Sequence, residues 1–135
     1  MVMLTGSCLK AKKSGLKPSN NMIITEENLT YHLVRRPELK DSQIKRMYDL
    51  MAENYDYVHY DIFYKDLSKK DFVGIIRTSD GNIQGFTTYA VDPHDIKIED
   101  SHIIFSGDTI INPKFWGTQI LMKAWCNFFR YINEF

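Results

Sequence analysis

The sequence predicts an α/β domain with a mostly antiparallel sheet and flanking helices, and three observations predict it. The runs FVGIIRT and IQGFTTYAV flank Ser79, Asp80, Gly81 and Asn82, and an Asp-Gly pair supplies the positive φ values that a tight hairpin turn demands. Ile44, Met47, Met51 and Tyr55 recur at spacings of three and four, one apolar face of a helix. Ile120, Leu121, Ala124, Trp125, Phe128, Phe129 and Ile132 make a broader stripe of the same kind, which must bury against a sheet.

Taken in chain order, residues 1–21 hold four lysines, two glycines, a proline and no acid, so they cannot bury enough apolar surface to offset the entropy of ordering. They read as a mobile leader, with an organelle transit peptide as the other reading, against which stands the lack of arginine. Residues 22–135 read as the domain. Tyr31, Leu33 and Arg35 alternate with His32, Val34 and Arg36 as a first strand that Pro37 ends. Asp41 or Pro37 can mark the start of the helix that follows. YDIFYKDLSKKD fits a second helix of two turns, then come the hairpin, the polar connection DPHDIKIEDSH, the strand IIFSGDTII, the corner NPKFWGTQ and the last helix.

The totals bound the partners. The chain of 135 residues suits one core, and 17 basic residues balance 17 acidic ones, which removes the electrostatic footprint of a protein built for nucleic acid or anionic membrane. Cys8 and Cys126 show neither disulfide-framework nor metal-ligand spacing, His32, His59 and His94 have no metal-site spacing, and no run is long and apolar enough to span a membrane. These features point to a cytoplasmic protein with no metal and a small-molecule or protein partner.

The corner NPKFWGTQ carries the chemistry. A helix that starts right after a strand presents unpaired N–H groups and a partial positive charge, which suits an anion. Gly117 is the one glycine there, Thr118 adds a hydroxyl, Gln119 an amide and Lys114 a charge. Two readings stand: a phosphate-binding corner, or a glycine that lets helix and strand pack closely.

The order of elements resembles the first part of the acetyl-CoA-dependent N-acetyltransferase (GNAT) family. HLVRRPELKDSQIKRMYDLM is similar to that family's first strand and helix, DGNIQGFTTYAV to its hairpin, and IINPKFWGTQILMKAW to its cofactor motif and central helix. Pro113 and Phe115 fall on the family's proline and aromatic positions, Gly117 on a frequent glycine, and the pair Trp116-Gly117 resembles the branch that modifies protein N-termini. Gln119 and Leu121 depart from the motif, standing where it has small residues; a left-handed backbone at Gln119 would cost about 1 to 2 kcal/mol.

The resemblance covers Tyr31 to Phe129, about two-thirds of the family's domain, and implies a fold truncated after the central helix. It implies acetyl-CoA as co-substrate, the backbone of Ile110 and Ile111 along its pantetheine arm, the loop Trp116, Gly117, Thr118 and Gln119 at its pyrophosphate, and an amine as acceptor. An incomplete domain would be inactive alone. The alternative is a non-catalytic interaction module whose open sheet edge, beside Trp125, Phe128 and Phe129, pairs with a second copy or a partner chain. No general base is fixed by the motif. His102 and Asp108 are of the right type, but each also has a local role open to it, His102 at a strand end and Asp108 in a turn with Ser106 and Gly107. Tyr55, Tyr57, Tyr60 and Tyr64 could line an acceptor pocket or pack as a cover on the sheet, and Cys126 reads as core.

Overall fold

The computed structural model describes residues 4–10, 23–93 and 99–133. Alternation over Leu29–Arg35 makes the strand β3, with Leu29, Tyr31 and Leu33 buried on one face. Before it lie β1 (Leu4–Lys10) and β2 (Ile23–Glu26); after it come α1 (Asp41–Asn54), α2 (Tyr60–Ser68), β4 (Phe72–Thr78), β5 (Ile83–Val91), β6 (Ser101–Ile111) and α3 (Ile120–Asn133). The six strands form one sheet in the order β1-β6-β5-β4-β3-β2, and every neighbouring pair is antiparallel. The architecture is thus the expected α/β one, with helices on both faces of the sheet.

The hairpin joins β4 to β5 through Ser79–Asn82, with positive φ at Gly81 (88°) and not at Asp80. Asp80 instead accepts from the backbone N–H of Asn82 at 3.0 Å, which tightens the turn. Both strands are buried on both faces. Phe72, Ile76 and Tyr89 pack toward α3, whereas Val73, Ile75, Ile83 and Phe86 pack toward α1 and α2. Ile120, Ala124, Phe128 and Ile132, four residues apart along α3, are all fully buried in the first of these cores.

Gly74 shows how tightly the first core closes. The ring of Tyr31 crosses it, and a Cβ there would lie 2.2 Å from that ring. The Tyr31 hydroxyl in turn meets that of Tyr89 at 3.3 Å, so two buried phenols satisfy each other, and burial pushes the Tyr89 phenol up to about 12. Gly74→Ala is expected to lose about 1 to 3 kcal/mol of stability by forcing this pair apart, as urea unfolding would measure.

Several expectations change. Leu4–Lys10, read as part of a mobile leader, pairs with β6 from Ser101 to Ser106. The rest of that leader lies outside the described residues. Because β1 takes this place, β6 is not an open edge along that stretch, and Phe128 beside it is buried and not exposed. The strand β2 has no counterpart in the sequence reading; it returns on β3 through Glu27 and Asn28, with Glu27 at φ 53°. Pro37 and Asp41 each open a separate element, a single 3-10 turn at Arg36–Glu38 and then α1. Helix α1 stops at Asn54, so Leu50 and not Tyr55 completes its buried face. Cys126 sits on the outer face of α3 as a free, exposed thiol rather than in the core. His94 lies outside the described residues.

Candidate functional site

A pocket of about 370 Å³ opens where β6 ends, between the last residues of α1 and the start of α3. Its walls are Asn54, Tyr55, Thr109, Ile110, Ile111, Pro113, Trp116 and Leu121. Three of the six expected cofactor-site residues, Ile110, Ile111 and Trp116, therefore meet here, and Gly117, Thr118 and Gln119 form the corner next to them.

The corner is built by local hydrogen bonds. Asn112 ties the end of β6 to β5, its N–H donating to the Gln84 carbonyl at 2.7 Å, and its side-chain oxygen accepts from the Lys114 N–H at 3.1 Å to start a 3-10 turn over Pro113–Phe115. Gly117 then reverses the chain at φ 92°, a conformation that L side chains rarely adopt. A Cβ on Gly117 would touch nothing within 4 Å. The close-packing reading of this glycine is therefore wrong: its backbone angle requires glycine, not its surroundings. Gln119 does not share the left-handed region, so its side chain carries no such strain. The first hydrogen bond of α3 runs from the Lys123 N–H to the Gln119 carbonyl, which leaves the N–H groups of residues 119–122 without partners inside the helix, and one of these residues, Leu121, lines the pocket.

Two details differ from the expected roles. The Thr118 hydroxyl donates to the Phe115 carbonyl at 2.9 Å, so it serves the turn. The Trp116 indole N–H donates to the Ile111 carbonyl at 3.2 Å and lays the ring, 71% exposed, over the strand end.

Along β6 the strand edge changes character at Gly107. Among the described residues β1 pairs with Ser101–Ser106 only, and residues 107–111 have β5 alone as neighbour. At the same point β6 bulges, three of its steps from Ser106 to Thr109 facing two of β5 from Tyr89 to Thr87. The bulge holds Asp108, which is thus part of a strand and not of a turn. Its carbonyl accepts from the Thr88 hydroxyl at 3.4 Å.

Burial pushes the Asp108 carboxyl above the usual carboxylate range, and the nearby Lys70 ammonium partly opposes this. Lys70 is held down by its own burial, with Asp108 as the main opposing charge. Its ammonium sits 4.7 Å over the Phe105 ring and so close to Gly107 that a Cβ there would be 2.7 Å away. Nothing in the sequence singled out Lys70: it is the middle residue of a polar Lys-Lys-Asp stretch, and only the closure of β4, β5 and β6 brings it to the bulge.

His102 is not part of this site. It pairs with Asp92 at the far end of β6, roughly 25 Å along the strand from Ile110. Asp92 also accepts from the Ile103 N–H at 2.8 Å, so this pair fastens the β5 to β6 return. The tyrosines divide: Tyr55 lines the pocket, whereas Tyr57, Tyr60 and Tyr64 stay exposed on α2 and the loop before it, and Phe63 and Leu67 take the role of cover on the sheet. Among the described residues no group of three or more His, Cys, Asp or Glu is placed to hold a metal ion, and no helix is long and apolar enough to cross a membrane. No protein-family model matches the chain, and no curated protein matches its sequence.

Proposed function

We propose that this protein is an acyl-CoA-dependent N-acyltransferase that moves an acetyl group to an amine. The observation that carries the reading is the meeting of three features beside one pocket: a run of β6, residues 107–111, whose outer edge has no partner among the described residues, a left-handed glycine corner, and the start of α3. A strand edge suits the amides of an extended pantetheine arm, and a helix start suits a pyrophosphate. Acetyl-CoA, when bound, supplies a thioester whose carbonyl an amine can attack.

The chain's own groups have definable tasks. Ile111 offers its backbone N–H and, with Ile110, an apolar wall, and residues 119–122 offer N–H donors to phosphate oxygens. Asp108, two residues before Ile110, takes the proton from the attacking amine as general base. The Lys70 ammonium nearby favours the ionised form of that carboxylate. Cys126, a free and exposed thiol, suits a reducing compartment, and we place the protein in the cytoplasm.

A second reading is favoured by one observation. The indole of Trp116 already occupies the Ile111 carbonyl, which closes one acceptor on the strand edge. In that reading the domain binds without catalysis and pairs with a second copy or a partner strand through the rest of that edge, residues 107–110.

Titration with acetyl-CoA and with CoA, followed by tryptophan fluorescence and thermal unfolding, separates the two. At about a hundred times its dissociation constant the ligand stabilises the fold by about 2.7 kcal/mol. Gly117→Val, which places a β-branched residue at φ 92°, is expected to remove the response while the protein stays folded. A folded protein that ignores millimolar acetyl-CoA would overturn the acyltransferase reading.

A further inference from the structure

We propose that the exposed tyrosine face of α2 and the loop before it is a docking surface for a lysine- or arginine-rich polypeptide segment. It stands without the acyl-transfer reading, because it rests on other residues, Tyr57, Tyr60 and Tyr64, and its test uses no cofactor.

Large aromatic rings tend to be buried, yet Tyr57, Tyr60 and Tyr64 all project from this short stretch. Tyr57 is 94% exposed and has φ 60°, an angle that costs a bulky residue strain without any contact of its ring to repay it. The surface is also ordered. The Tyr48 hydroxyl donates to the Val58 carbonyl at 3.2 Å and fixes the loop, the Tyr48 ring meets Tyr60 edge-on at 5.1 Å, and Tyr60 stacks on Tyr64 at 6.1 Å. Rigid aromatic faces at low entropic cost are the usual anchors of protein recognition.

Charge selects the occupant. From Met47 to Tyr64 the chain has Asp49, Glu53, Asp56 and Asp61 and no lysine or arginine, although the whole chain is balanced. Asp49 and Glu53 are matched by Lys45 and Arg46 on α1. Asp56 and Asp61 have no ion pair among the described residues and lie in sequence next to Tyr55, Tyr57 and Tyr60, with Lys65 one residue beyond the tyrosines. Aromatic faces interleaved with free carboxylates attract cationic side chains through the ring quadrupole and through direct pairing, and repel nucleic acid.

The test is fluorescence anisotropy with a labelled peptide of alternating lysine and glycine, about ten residues long, against its glutamate counterpart and a single-stranded RNA of similar length. Saturable binding of the lysine peptide alone is expected. The double variant Tyr60→Ala and Tyr64→Ala should weaken it about tenfold, and Tyr57→Ala, whose ring supports nothing in the fold, should weaken it several-fold with an unchanged melting temperature. Absence of lysine-peptide binding, binding untouched by these variants, or tighter binding of the RNA would each overturn the proposal.

Discussion

Phe128→Ala is expected to destabilise the protein by about 3 to 5 kcal/mol, the largest effect on stability among the changes considered. Phe128 is fully buried, stacks on Tyr89 at a centroid distance of 3.9 Å and 14° between planes, and meets Phe72 edge-on at 5.6 Å. Truncation opens a cavity where α3 meets the sheet and removes three aromatic pairs together, the third with Tyr131 at 6.4 Å. A small domain holds about 5 to 15 kcal/mol in all, so this single change takes a large share. The melting temperature should fall by roughly 10 to 20 °C. Met122→Ala, on the exposed side of the same helix, should stay within about 0.5 kcal/mol. A Phe128→Ala protein that melts with the parent would show that α3 does not seat on the sheet as described.

Asp108→Asn is expected to lower the acyl-transfer rate by about 10² to 10⁴, with much less change in acetyl-CoA affinity, if the carboxylate is the base. The pH dependence gives a second readout. The folded carboxyl lies above its ordinary value of 3.8, chiefly because of burial. Between the ordinary and the raised value the folded chain keeps a proton that the unfolded chain has released. Stability from this group therefore falls as pH climbs through that window, and is fully present below it. Activity runs the opposite way, since the base form appears only as pH rises through the raised value. The asparagine variant should flatten both slopes. A pH profile of kcat unchanged by Asp108→Asn would remove the base role, while a lost stability slope alone would leave Asp108 as a buried structural acid.

The hairpin, both long helices and the strand before the corner were legible in the sequence because each depends on residues near one another in the chain. A period of two over Tyr31–Arg35, a period near four over Ile120–Ile132 and an Asp-Gly pair are local signals. The corner was legible to the same degree: Pro113 and Gly117 bracket a turn, and its position between an apolar strand and an apolar helix already suggested a helix start open to an anion. What the angles added is the reason for Gly117, since its φ of 92° and its open surroundings separate a conformational need from a packing one.

Tertiary structure alone decided the rest. The strand Leu4–Lys10 has a polar, lysine-bearing sequence with no clear period, and its place on β6 comes from pairing across about a hundred residues. Ser106, Gly107 and Asp108 look like a turn in isolation; they form a bulge because β5 runs past them and supplies the ladder. Asp108 and Lys70 acquire their shifted proton affinities from burial, against which their mutual attraction works, and a residue's neighbours in the chain encode neither effect. Cys126 and Phe128 are only two residues apart on an apolar helix, yet one faces out and the other in, because a helix turns 100° per residue and only the sheet's position says which side is inside. The sequence by itself thus determined the elements from β3 onward and the corner, but not β1 or β2. The register of the sheet, through long-range pairing and burial, determined which of those residues meet at a pocket and with what charge.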